Sequence, residues 1–239
     1  MLPWTWCYVI LPTADFGTTA CKWDSVIPLE PMWKELKRIT KPKSAIVLFG
    51  SQPFTSILIN SNLEMYKYNW VWEKNRATNF PNAKKRPLTA HEDIVVFMKC
   101  GIWYNPQKTH GHIPTNSAIG ATQGEIYNGD TIRNYTGGNT DRYPRTVQKF
   151  NCERGLHPTQ KPVALMEYLI KTYSNEGDIV LDFTMGSSTT AIASLNTNRN
   201  FIGIEKDGNY FNIGVNRVKE HIKCQDLKTE LVINMEDLQ

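Results

Sequence analysis

Asp182 and Glu205 sit where chemistry is most legible in this 239-residue chain. Asp182 ends the apolar run "DIVLD" (178–182), and the small, hydroxyl-rich stretch "FTMGSSTT" (183–190) follows at once. Glu205 ends the next apolar run, "NFIGIE" (200–205), 23 positions after Asp182. In a sheet of parallel strands flanked by helices, ligands sit at the carboxyl ends of the strands. A loop of small residues around Gly186 lets the backbone approach a ligand closely. An acid closing the second strand can accept both hydroxyls of a ribose. The pattern therefore predicts a nucleoside-containing cofactor. It departs from the dinucleotide Gly-x-Gly-x-x-Gly and lacks the Gly-Lys-Ser/Thr of a phosphate loop, so NAD and ATP both fit poorly.

A second chemical signal is charge. Net charge is +4, and residues 67 to 99 carry that surplus by themselves, with seven basic side chains against Glu73, Glu92 and Asp93. From charge alone the stretch reads equally as a phosphate-contacting segment or as a solvated loop. The five cysteines are scattered, odd in number and never spaced as Cys-x-x-Cys. That predicts a reduced, cytoplasmic protein with neither a disulfide framework nor a structural metal. No apolar run approaches the roughly 20 residues of a membrane span, and the opening residues lack the features of a secretion signal.

The elements that must position these groups alternate between strand and helix periodicity. Strands are predicted at 6–11, 44–49, 66–74, 92–99, 178–182 and 200–205. Helices are predicted from the Leu29, Met32, Trp33, Leu36, Ile39 stripe and at 52–62, 161–174, 188–198 and 207–223. Residues 75–91 read as a polar, basic loop. Residues 101–156, rich in Gly, Asn, Thr and Tyr, read as a long insertion without periodicity. Short apolar strands alternating with helices predict an α/β fold with a doubly wound, mostly parallel sheet.

With "HPTQKP" (157–162) preceding the Asp182 strand, the chain resembles the permuted class of DNA amino-methyltransferases. In that family a His-Pro-Thr-x-Lys-Pro segment precedes a strand ending Asp-Pro-Phe-x-Gly-Ser-Gly-Thr-Thr, and an Ile-Gly-Ile-Glu strand follows. "GSQPF" (50–54), "WVWEKN" (70–75) and "RPLTAHEDIVVFMK" (86–99) also match, in the family's order. The resemblance runs from Gly17 to about Val218. It implies a Rossmann-like methyltransferase sheet whose catalytic half is 1–100, whose target-recognition insertion is 101–156 and whose cofactor half is 157–239. The implied cofactor is S-adenosylmethionine, lined by Asp182, Phe183, Thr184, Gly186, Ser187 and Thr189, with Glu205 on the ribose. Lys161, Thr159 and His157 would lie toward its methionine carboxylate. Lys74, Asn75, Arg76, Lys84, Lys85 and Arg86 become candidate DNA contacts, and the implied partner is double-stranded DNA. Members of the class often dimerise and often belong to restriction-modification pairs.

Two departures matter. The family's catalytic strand ends Asp-Pro-Pro-Tyr, whose acid accepts a hydrogen bond from the target amine and whose ring stacks on a flipped base. Here Thr13-Ala14-Asp15-Phe16 stands in that place, leaving Asp15 and Phe16 as the catalytic candidates. Read one base upstream, codons for residues 3 to 14 permit an Asp-x-Val-Leu strand followed by Asp-Pro-Pro-Tyr-Gly, which would make the opening stretch a frameshifted relic. The second departure is Ser188, which replaces the cofactor loop's last Gly and is predicted to strain it. The resemblance implies methylation of a base amine, adenine N6 before cytosine N4. The alternative is an impaired remnant that still binds DNA and perhaps the cofactor. A methyltransferase acting on RNA or protein leaves the long basic insertion harder to place.

Overall fold

The computed structural model describes residues 27–101, 103–114, 138–153, 155, 160–227 and 229–234, together with the backbone of 7–9. The predicted elements recur with shifts of one to three residues at most ends, joined by one strand that was not predicted, Val147–Phe150. They are β1 (Cys7–Val9), α1 (Leu29–Ile39), β2 (Ala45–Gly50), α2 (Phe54–Asn60), β3 (Tyr66–Thr78), β4 (Thr89–Met98), β5 (Val147–Phe150), α3 (Val163–Tyr173), β6 (Ile179–Asp182), α4 (Thr189–Asn196), β7 (Asn200–Gly203) and α5 (Gly208–Cys224).

The strands form a five-stranded sheet in the order β1-β2-β4-β3-β5 and a parallel pair β6-β7. In the larger sheet β1 pairs parallel with β2 and β3 parallel with β5, while β4 runs against both β2 and β3. β6 packs beside β1. The sheet is thus mostly parallel, with one reversed strand.

Side-chain alternation explains why helices cover both faces. β2 is buried along its whole length. Ala45, Val47 and Phe49 face one core, shared with Ile94, Val96 and Met98 of β4, Trp70 and Trp72 of β3, and Leu165, Met166, Leu169, Ile170 and Tyr173 of α3. Ile46 and Leu48 face the opposite core, with Val95 and Phe97 of β4, Met32, Trp33 and Leu36 of α1, and Phe54 and Leu58 of α2. A strand with period 2 can serve two cores only when each face is capped by a helix layer. β6 continues both layers, giving Val180 to the first core and Leu181 to the second.

Two expectations need correction. The basic segment at 75–91 is not one loop, because β3 extends to Thr78 and β4 begins at Thr89. Between the pairs Glu73↔His91 and Thr78↔Thr89 the β3 side holds extra residues, so Lys74–Ala77 form a bulge in a long hairpin. Backbone pairing with β4 and with β5 at Glu73↔Lys149 and Lys74↔Phe150 overrides the polar composition there. The insertion is also shorter than 101–156. A compact unit spans Pro106–Arg145, whereas Val147–Phe150 belongs to the main sheet as its edge strand. Within that unit Thr109 and Arg142 form an antiparallel bridge, His110 Nδ1 lies 2.7 Å from Asp141 Oδ1, and Lys108 Nζ stands 4.6 Å from the centre of the Tyr143 ring.

Candidate active site

The loop between β6 and α4 is built around Asp182. Its side chain is wholly buried, and Oδ1 accepts from the Thr184 amide at 3.0 Å and from Thr184 Oγ1 at 3.4 Å. Oδ2 accepts from Thr190 Oγ1 at 2.6 Å. The backbone of the loop is stitched to the end of β7: Ile204 N donates to Asp182 O and Met185 N donates to Ile204 O. Asp182 therefore shapes the loop from beneath. It is not an open lining residue as expected, because every face of its carboxylate is closed by protein.

Glu205 closes the loop from the other side. Its Oε2 accepts from the Gly186 amide at 2.8 Å and its Oε1 from the Asp207 amide at 2.9 Å. Each oxygen of a carboxylate has a second lone pair, so the group can still receive two vicinal hydroxyls. Gly186 and Ser188 both turn in the left-handed region, at φ 48° and 60°. For Gly186 that is cheap; for Ser188 it is the strain foreseen at this position, of order 1 kcal/mol. Ser188 is accommodated because Gly214 of α5 faces it: a Cβ on Gly214 would lie 2.4 Å from Ser188 Oγ and 3.0 Å from the Gly186 carbonyl oxygen.

Arg217, one turn further along α5, was not foreseen. Its Nη1 donates to Ser187 O at 2.9 Å and to Thr189 Oγ1 at 3.0 Å. Burial pulls its pKa below the ordinary value, against the pull of Glu153 in the other direction. Ser187 Oγ donates to Gln160 Oε1 at 3.3 Å, and Glu153 Oε1 accepts from the Val163 amide at the start of α3. The loop is thus gripped by α5, by the segment before α3 and by β7. Phe183 packs at the margin of the α1/α2 core.

A second cluster joins the two regions that the sequence had kept apart. Lys161 Nζ donates to Glu92 Oε2 at 2.8 Å, and Lys74 Nζ donates to Glu92 Oε1 at 2.5 Å. The Lys161 and Lys74 side chains are only 4% and 11% exposed. Lys161 also lies 5.0 Å from the Phe49 ring centre, and Lys74 lies 5.0 Å from that of Trp72. Burial pushes the Glu92 pKa up, but Lys161 and then Lys74 outweigh it and hold the carboxyl below its ordinary range. Lys74 therefore leaves the set of phosphate contacts: its ammonium is enclosed and committed to Glu92. Asn75 and Arg76 are exposed, with Asn75 Oδ1 accepting from the Cys152 amide, and Lys84, Lys85 and Arg86 stand exposed at the hairpin tip. Asp15, Phe16, His157 and Thr159 lie outside the described residues. Glu92 could have been suspected as an acid opening an apolar strand; no local signal marks Arg217.

Against this geometry, residues 19–216 match the family described as DNA methylase, of the N6/N4 type. The chain belongs to that family. Among curated relatives, the Type II methyltransferase M.HpaI of Haemophilus parainfluenzae is 30% identical over 218 residues, covering 85% of this chain and 63% of that protein. The DNA adenine methyltransferase YhdJ of Escherichia coli is 42% identical over 92 residues, covering 38% of this chain and 31% of that one. The chain thus spans less than two thirds of the length of either. Among solved structures, the M1.HpyAVI-SAM complex aligns with a TM-score of 0.61 at 25% identity, covering 91% of this chain and 89% of that one. The cytosine-N4-specific PvuII DNA methyltransferase shares the fold, with a TM-score of 0.60 at 12% identity over 92% of this chain and 84% of that one.

The buried aspartate has a measurable consequence. Burial, aided by Glu205, raises Asp182 to about 6 from 3.8, against the bonds from Thr190 and Thr184. A carboxyl with a raised folded pKa binds its proton more tightly in the native state, so its contribution to stability falls as pH rises. The window lies between about pH 4 and 6, and the size is roughly 3 kcal/mol. Asp182→Asn should remove this component, so the stability difference between wild type and variant should change across that window and stay flat above it. Denaturant unfolding of both proteins through the window measures it; parallel curves would mean that Asp182 titrates normally.

Proposed function

We propose that this chain transfers a methyl group from S-adenosylmethionine to the exocyclic amine of a base in duplex DNA, adenine N6 in preference to cytosine N4. The observation that carries the reading is Glu205, held by the Gly186 and Asp207 amides beside a loop of small residues with a lone pair left on each oxygen. Two ribose hydroxyls suit that carboxylate. The bound cofactor supplies an electrophilic methyl on its sulfonium sulfur. His157 and Thr159 are assigned to the methionine carboxylate; Lys161, like Lys74, is enclosed and committed to Glu92.

At the base, the amine is a poor nucleophile because its lone pair is delocalised into the ring. Asp15 is assigned to accept an amine N–H and return electron density to the nitrogen, and Phe16 to stack on the base turned out of the helix. Asn75, Arg76, Lys84, Lys85 and Arg86 are assigned to the DNA, and the unit 106–145 to target recognition. The adenine preference is supported by the 42% identity with a protein named as a DNA adenine methyltransferase. Among the described residues no helix is long and apolar enough to cross a membrane, which is compatible with a cytoplasmic site of action.

Incubation with labelled S-adenosylmethionine and duplexes of random sequence tests the reading. A chain carrying Thr13→Asp, Ala14→Pro, Asp15→Pro and Phe16→Tyr runs beside it. The expected result is label in the DNA, in N6-methyladenine after hydrolysis. Label in N4-methylcytosine would correct the base. Transfer by the rebuilt chain alone would make the natural chain a binding remnant whose catalytic strand has been overwritten. Transfer by neither would sink the reading.

A further inference from the structure

We propose that Phe80 is a base-stacking residue: the tip of the β3–β4 hairpin seats its ring on a nucleobase of bound DNA. The inference rests on the DNA-directed reading above and extends it to a residue with no assigned role. Phe80 is 66% exposed, whereas Trp70 and Trp72 on the same hairpin are 4% and 2% exposed. A phenyl ring left in water forfeits most of the free energy its burial would yield.

The exposure is built rather than incidental. Asn79 turns the chain in the left-handed region at φ 72°, and Asn82 Nδ2 donates to its Oδ1 at 2.8 Å. The short turn Phe80–Asn82 then closes through Asn82 N to Asn79 O at 3.1 Å and Ala83 N to Phe80 O at 3.0 Å. Asn82 O accepts in turn from the amides of Lys85, at 2.8 Å, and Arg86, at 3.0 Å. One set of bonds therefore orders the backbone that carries both the ring and the basic side chains. Non-glycine residues in left-handed backbone collect at functional positions.

The surroundings select the partner. Lys84, Lys85 and Arg86 stand exposed on the same hairpin tip as Phe80, with Arg76 at the base of the tip, and residues 74–91 contain no acid. A flat apolar ring framed by cations is complementary to a ligand that offers π faces along an anionic backbone. On a duplex, aromatic side chains reach such faces where a base has left the stack or where they wedge between base steps, and they tolerate any base because each has a π face.

Binding of a random-sequence duplex pool, titrated with salt, separates the contributions. Phe80→Ala should weaken binding about tenfold and leave the salt slope unchanged, because stacking releases no counterions. Phe80→Trp should bind like wild type. The triple variant Lys84→Ala, Lys85→Ala, Arg86→Ala should flatten the slope instead. The ring touches little of the fold, so Phe80→Ala should melt with wild type. If wild type binds and Phe80→Ala binds equally well, or changes the slope, the stacking role is overturned while the methylase reading stands. If wild type itself does not bind DNA, both fall together.

Discussion

Replacing Glu92 by Ala should cost about 3–5 kcal/mol of folding stability, the largest loss expected from any single substitution here. The carboxylate is the shared partner of two enclosed ammonium groups, Lys161 at 2.8 Å and Lys74 at 2.5 Å. Removing it leaves two like charges on opposite sides of a hole, each held in place by an aromatic ring. Little water reaches them at the junction of β3, β4 and the segment before α3, where their side chains are 4% and 11% exposed. Glu92→Gln keeps the shape and one acceptor, so it should cost less than the Ala variant. Combining Glu92→Gln with Lys161→Met should recover part of the loss, since an apolar side chain in a buried ionic site is often neutral or better. The pH dependence has the opposite sign to that of Asp182. Because Glu92 titrates below its ordinary range in the fold, its contribution is present above the unfolded pKa and is lost as pH falls through the folded one. The midpoint of denaturant unfolding is the measurement. A loss under about 1 kcal/mol for the Ala variant would put the triad among weak, solvent-screened ion pairs.

Gly214→Ala should also destabilise the protein, against the helix-propensity gain of about 1 kcal/mol that a Gly-to-Ala change brings. The new Cβ would stand 2.4 Å from Ser188 Oγ, 3.0 Å from Gly186 O and 3.3 Å from Ser188 Cβ. Overpacking of this kind costs typically 1–3 kcal/mol, and here one of the crowded atoms is a backbone carbonyl that cannot rotate away. The net loss should be up to about 2 kcal/mol once the propensity gain is counted. Ser188→Gly alone should change stability by less than about 1 kcal/mol, because relief of the left-handed strain is offset by the greater freedom of Gly in the unfolded chain. The two substitutions should nevertheless couple. With Ser188→Gly in place, the 2.4 Å collision disappears and only the approach to Gly186 O remains, so Gly214→Ala should cost less than in the wild-type background. A double-mutant cycle reads this coupling directly; additive effects would mean that α5 shifts as a body and the loop does not meet it.

How much of this was legible before the structure follows from the range of each interaction. The strand and helix alternation is local. The continuous apolar run along 45–50 and the Met32, Trp33, Leu36 face depend on residues a few positions apart, so their pattern stands in the chain itself. The same holds for the small-residue loop after Asp182, the acid at Glu205 and the strain at Ser188, because backbone conformation at a turn is set by the residues in it. What the chain did not reveal is which distant groups meet. The family resemblance implies a DNA contact for Lys74, but Glu92 lies across the hairpin and Lys161 is 69 residues from Glu92. Arg217 reaches a carbonyl 30 residues away. The tolerance of Ser188 is decided by the absence of a side chain at Gly214, on another helix. The hairpin was read as a loop because its composition is polar, and only the ladders to β4 and β5 show that backbone pairing wins there. The sequence by itself determined the layered α/β architecture and the small-residue turn after Asp182, because both rest on local periodicity and turn chemistry. Tertiary structure alone decided which charges are enclosed and which remain at the surface, because burial and ion pairing depend on where the sheet brings remote residues together.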